Sequence, residues 1–316
     1  MADSGVTTRL GAAVIPQTNG VNPKDVSSYR AVSGQQQLAD NLGPLKDLPG
    51  FWQGTGINII ARPDFSAQND HGIFLELNVL QETIEFTTIG SPVMNRGSLQ
   101  DDIALYGVTY LHRVVDANTG GALHIEPGVW LNVPSTTAPA AGAGIARLST
   151  IPHGNSVCAV GFVQEVVPDG LPEIPPANTV PFPIGGTPPP PGTKNAFSEY
   201  DLSVPTGFRT NPVPAPITQA IIDDPNQAVR DALTGHTLTH ITRLIVSTAA
   251  AGGVTNIPFI VQNANAVSLE AAFAIEHIQG PQGTEFLQLQ YSQTALLNFR
   301  GTSFPHVTVG TLIKAF

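Results

Sequence analysis

Between residues 52 and 167 the chain runs as short β-rich segments separated by turn residues. The segments span 55–62, 73–80, 82–89, 102–115, 122–133, 143–150 and 156–167. Gly90-Ser91-Pro92, Asn118-Thr119-Gly120-Gly121 and His153-Gly154-Asn155 supply turns between them. In segment 122–133, apolar Leu123, Ile125, Val129, Leu131 and Val133 fall at alternate positions, which is strand and not helix periodicity. Longer segments follow at 236–248, 267–278, 285–297 and 305–314. In the second of these, Val267, Leu269, Ala271, Phe273 and Ile275 alternate with Ser268, Glu270 and Glu276. One apolar and one polar face is the signature of an antiparallel sheet solvated on one side.

About eleven strands without βαβ alternation predict an all-β protein. Closure into an up-and-down barrel of about 10–11 antiparallel strands removes the exposed edges, and a barrel wider than roughly eight strands has room for a ligand. A two-sheet sandwich is the alternative. The expected organisation is a single domain. Residues 1–48 form an N-terminal arm with a short helix broken near Gly43 and Pro44, and 49–167 form the first part of the barrel. Residues 168–235 form an insertion, and 236–316 complete the barrel. Prolines recur through 168–191 and end in Pro188-Pro189-Pro190-Pro191, which excludes a central strand and predicts an extended loop over the surface or the barrel mouth. Residues 216–232 read as a helix interrupted at Asp223-Asp224-Pro225.

Composition removes several function classes. The net charge is −10 with only 14 Lys and Arg, which argues against a nucleic-acid binder and against an anionic membrane surface. Charged residues make up 12%, about half the usual share, so part of the surface is expected to be covered, as in a homodimer. The single cysteine, Cys158, rules out an intramolecular disulfide and reads as a small buried hydrophobe in a strand. The first residues lack a secretory pattern, and no apolar run reaches the length of a membrane helix, so a cytoplasmic location is expected.

The segment Gly50-Phe51-Trp52-Gln53-Gly54-Thr55-Gly56 has the pattern G-x-W-x-G-x-G where the first strand begins. Glycines let the backbone bend there, and a tryptophan can plug one end of a barrel. At the other end of the chain, Phe304-Pro305-His306-Val307-Thr308-Val309 opens the last strand. Together with the stretch 81–94, these motifs resemble the nitrobindin family of heme-binding, fatty-acid-binding-protein-like barrels, over roughly residues 49–167 and 236–316. The resemblance implies heme b as cofactor, His306 as its proximal iron ligand, and Trp52, Gly54 and Gly56 as parts of the cofactor pocket. The family carries a histidine before Glu-Gly on the distal side, and the matching stretch here, Leu105-Tyr106-Gly107-Val108-Thr109-Tyr110, has Tyr106 in that place.

Other residues invite chemistry on their own account. His124 and Glu126 are two apart and share a strand face; in a lumen they would form an acid–base pair. Ordinary burial predicts the reverse, with Leu123, Ile125 and Val129 inward and the pair in solvent. Pro127-Gly128 then suggests a bulge that turns Trp130 inside. His153 sits in a turn that can overhang the mouth, and Tyr106, Tyr110 and Tyr291 suit a pocket wall. His236 and His240 lie roughly 13 Å apart along a strand, too far to share one metal ion. Three readings of function follow: a His306-ligated heme protein with peroxide or small-ligand chemistry, a heme-free lipocalin-like cyclase or isomerase using Tyr106, His124 and Glu126, and a carrier of an apolar small molecule.

Overall fold

The computed structural model describes residues 40–66, 72–280 and 283–315. Ten antiparallel strands close into one up-and-down barrel: β1 (Gly50–Pro63), β2 (Ile73–Thr88), β3 (Ile103–Asp116), β4 (Ala122–Val133), β5 (Gly144–Ile151), β6 (Asn155–Val166), β7 (Thr237–Asn256), β8 (Asn265–Gln279), β9 (Glu285–Phe299) and β10 (Thr302–Lys314). Each strand pairs with its sequence neighbours, and β10 returns to β1 with Trp52 opposite Lys314 and Ile59 opposite Val307. Closure rules out the sandwich. The strand count is ten because 73–80 and 82–89 are one strand: the alternation passes through Gln81 unbroken, and β1 pairs with the whole length from Gly50–Phe86 to Pro63–Ile73.

Strand alternation gives the barrel two cores. Inside, Trp52, Ile84, Val108, Trp130, Leu244, Phe273, Leu289 and Leu312 pack as one cluster with Leu42, Leu45 and Leu48, which precede β1 and close the end. The Trp52 indole donates to the Leu48 carbonyl at 2.8 Å, so the predicted tryptophan plug is present. The 3₁₀ turn Gly43–Leu45 lies in the stretch where a short helix was expected; most of the arm lies outside the described residues. Outside, Ile57, Ile59, Ala61, Leu75, Leu77, Val307 and Val309 are as fully buried as the inner residues, under the insertion.

The insertion is therefore an outer buttress and not a lid. It contributes Ala177, Tyr200, Ile217, Ile221, Ile222 and Val229 to the outer core, adds the short strand Phe182–Pro183 to the edge of β10, and bridges Leu75 through Arg209. The Arg209 guanidinium holds the insertion's own turn by donating to the carbonyls of Glu199, Asp201 and Val204. The expected helix is two: α1 (Gln219–Asp223), capped by the Thr218 hydroxyl, and α2 (Asn226–Ala232), separated at Asp224-Pro225.

β7 continues eight residues beyond its expected end. It pairs with β6 in two stretches, 241–247 and 252–256, offset by a bulge that Gly252 and Gly253 absorb at φ +90° and +147°. A third short helix, α3 (Pro258–Asn263), joins β7 to β8 at the open end. The outer wall of β4 to β6 carries no insertion: Ile125, Leu148 and Phe162 are exposed there, and Cys158 is half-buried on this wall instead of within the core.

Glu276 on β8 is buried on the outer face and accepts from the Gln288 amide at 2.8 Å. Burial raises its carboxyl to about 7. The folded chain thus keeps a proton that the unfolded chain releases, so this contribution to stability is present below the ordinary carboxylate range and lost as pH rises through about 7. Glu276→Gln is expected to match the parent near pH 4 and to exceed it by about 3 kcal/mol at pH 8, in thermal unfolding compared across pH.

Candidate functional site

The inward-facing positions change character along the barrel axis. At the plugged end they are apolar and aromatic; at mid-barrel they become a layer of buried charge; above that they line a cavity of about 470 Å³ open at the α3 end. This volume falls within the roughly 300–1,000 Å³ typical of small-molecule and cofactor sites. Ile60, Leu80, Val114, Ile151 and Leu269 supply apolar wall, and Ile260 and Ala264 of the α3 segment contribute at the mouth.

The charged layer has two carboxylate centres. Glu126 on β4 is 1% exposed and is held from three sides. Arg147 on β5 donates to it at 2.7 Å, Tyr110 on β3 donates its hydroxyl to the same oxygen, and His124 lies 3.1 Å from the other. Arg147 also donates to Tyr110 at 3.0 Å and to Gln293 on β9 at 2.8 Å. Burial alone would raise Glu126, but Arg147 and His124 outweigh it and hold the carboxyl well below its usual range. Burial, with the neighbouring carboxylate, keeps Tyr110 protonated well above its usual pKa.

The second centre is Glu82 on β2, also 1% exposed. Its Oε2 accepts from the Tyr291 hydroxyl at 2.6 Å and pairs with His112 Nε2 at 2.7 Å. Among the described residues its Oε1 has no hydrogen-bond partner, and it rests in a notch between Gly56 and Gly310, which face each other across β1 and β10. A Cβ on Gly56 would collide with that oxygen, and one on Gly310 would lie 3.0 Å from it. The last glycine of the G-x-W-x-G-x-G motif therefore makes room for a buried carboxylate. Gly54, in contrast, lets β10 approach closely, since a Cβ there would strike the Thr311 carbonyl.

Among the described residues, four histidines border the cavity. The rings of His112 and His124 lie 6.0 Å apart, and those of His124 and His153 lie 6.3 Å apart, so a row climbs from floor to mouth. His306 on β10 is separated from β4 by β1, β2 and β3. Its Nε2 lies 2.6 Å from the Asn58 amide nitrogen, which also donates to Thr308 at 2.8 Å. Burial, then the electrostatic influence of nearby His124 and His153, lowers its pKa to about 3, so His306 is a neutral imidazole.

Several sequence expectations meet here and others do not. His124, His153 and His306 line one cavity, and Glu126 is buried behind His124. The outward placement of His124 and Glu126 is overturned: Glu126 is buried and Ile125 is 41% exposed, because this lumen is lined by polar groups that satisfy one another. Trp130 is inside without any flip at Pro127-Gly128; the bulge lies at Leu123, where β3 and β4 change register between Val114–His124 and Val115–Ala122. Tyr106 shares the lumen face of β3 but is not part of the cavity wall, and Trp52, Gly54 and Gly56 lie below it. His112, Glu82 and Arg147 were not singled out in the sequence. His112 and Glu82 could have been found, since each continues the inward alternation of its strand with Val108, Tyr110 and Val114 or with Leu80, Ile84 and Phe86.

Arg147→Met leaves Glu126 as a buried, uncompensated charge and is expected to cost about 3–5 kcal/mol in urea unfolding. Adding Glu126→Gln removes that charge and is expected to recover most of the loss.

Neither a comparison with protein-family models nor one with curated protein sequences returns a match. Among solved structures, the chain is similar to the crystal structure of Rv2717c from M. tuberculosis, with 14% sequence identity and a TM-score of 0.42, over 88% of this chain and 98% of that one.

Proposed function

We propose that the barrel lumen binds a largely apolar small molecule with a polar end, and that heme is this molecule, held by His306. The observation that carries the reading is the placement of the His306 imidazole on the wall of an open-ended cavity, with only the Asn58 amide on its Nε2 among the described residues. The residues present fit the group on two counts. Iron takes a neutral imidazole, and His306 is neutral at any ordinary pH. A porphyrin needs apolar walls, which Ile60, Leu80, Val114 and Leu269 supply. His306 would exchange its bond with the Asn58 amide for the iron.

Heme held by His306 would supply small-ligand and redox chemistry. The chain's own groups do the rest. The apolar plug and the α3 segment restrict water, and the Asn58 amide, which also donates to Thr308, holds the His306 ring until iron takes its place. His124, oriented by Glu126, offers a donor or acceptor to whatever enters from the mouth beside His153.

One observation favours a second reading, a heme-free enzyme acting by acid–base chemistry: the polar floor contains two carboxylate–histidine pairs.

Titration of the full-length protein with hemin separates the two. The heme reading expects a Soret band saturating near one equivalent, and its loss or shift in His306→Ala with an unchanged far-UV spectrum. No uptake of hemin, or a band indifferent to His306→Ala, would reject it.

A further inference from the structure

We infer that His112 is the proton acceptor of the lumen and that Glu82 is its positioning residue, fixing the tautomer that leaves His112 Nδ1 bare toward the cavity. This rests on the reading of the lumen as a ligand site, and it holds with or without heme. Glu82 Oε2 already accepts the Tyr291 hydroxyl, which burial, then Glu82 itself, keeps protonated well above its usual pKa. A carboxylate oxygen accepts, so His112 Nε2 at 2.7 Å is the donor. Nδ1 must then carry the lone pair. Among the described residues it makes no hydrogen bond to protein, and it is not sealed off as a buried unpaired atom, while the ring itself lines the cavity. An imidazole whose far nitrogen is held by a carboxylate is the arrangement that orients a general base.

The two carboxylate–histidine pairs differ in charge balance. Glu126 is matched by the Arg147 guanidinium, and it holds His124 at the longer distance of 3.1 Å. The groups facing His112 are Glu82 from β2, the protonated Tyr291 from β9 with its ring 5.8 Å away, and His124 from β4. Glu126, Arg147 and Tyr110 form the adjoining, internally balanced cluster. No guanidinium or ammonium group contacts Glu82 among the described residues. When Nδ1 takes a proton, the imidazolium gains an unshared carboxylate partner in a low-dielectric floor, where such a pair is worth far more than in water. The step balances as a simple transfer: the ligand's O–H bond breaks, an N–H bond forms at Nδ1, and the ligand keeps the electron pair as an oxyanion. Its substrates would be small, largely apolar molecules carrying an acidic hydroxyl or hydroperoxyl group. The notch at Gly56 and Gly310 belongs to this device, because it lets the Glu82 carboxylate sit within reach of the ring.

Two measurements on the full-length protein test this. The first needs no ligand: ¹⁵N chemical shifts of the histidine rings report the tautomer. Protonated Nε2 with bare Nδ1 is expected at His112, and a mixed or reversed state in Glu82→Gln; an unchanged tautomer in Glu82→Gln overturns the positioning role. The second uses 4-nitrophenol, whose phenolate is visible by absorbance, beside 4-nitroanisole, which has no proton to lose. At mildly acidic pH the bound nitrophenol is expected to be roughly tenfold more ionised than free probe, and His112→Gln should abolish that excess while 4-nitroanisole binds within about twofold of the parent. Equal ionisation in His112→Gln overturns the transfer. If 4-nitroanisole fails to enter the parent lumen, the ligand-site reading falls and the transfer with it, whatever the tautomer result.

Discussion

The ion pair between Glu126 and Arg147 is the constraint on which the interior depends. Both groups are almost completely removed from water, at 1% and 2% exposure. Desolvating two charges costs several kcal/mol each, and their attraction offsets this only when the remaining hydrogen-bond capacity is also filled. Tyr110, His124 and Gln293 fill it by contacting the pair directly, and the rings of Phe273 and Trp130 lie near the guanidinium at 5.1 and 5.8 Å. Once the layer is in place, everything below it must be apolar and dry, and everything above it is a cavity with a polar floor.

That arrangement explains why the barrel needs support from outside. Inward positions devoted to charge and to a cavity contribute little apolar burial. The outer faces of β1, β2 and β10 make up for this by being apolar as well, so these strands are buried on both sides and require the insertion as a cover. The prolines suit a segment that crosses strand ends and must avoid pairing as another ladder. Its backbone is tied down from the α1–α2 region: the Ala177 N–H donates to Asp224, and Asn226 and Arg230 donate to the carbonyls of Pro175 and Ile174.

Strands, their order and the insertion were legible in the sequence because alternation, glycine turns and proline density are local signals. The plug was legible through Trp52. The inner face of β4 was not. The rule that apolar residues point inward fails where buried polar groups satisfy one another, and the groups that make Glu126 acceptable come from other strands: Tyr110 on β3, Arg147 on β5 and, through Arg147, Gln293 on β9. For the same reason the role of Gly56 was invisible: its counterpart Gly310 and the carboxylate it shelters lie on two other strands. His306 was legible as a candidate from its motif, while its neutral state depends on burial and on two histidines brought near it only by folding.

The central claim is that the lumen beside His306 is the ligand site, and a crystal structure of the protein grown with hemin tests it most directly. The account predicts porphyrin density inside the barrel above the Glu82–Glu126 layer, with the iron on the His306 imidazole and the Asn58 amide released. Hemin found only on the outer wall, or a lumen left without it at saturating concentration, would contradict the account.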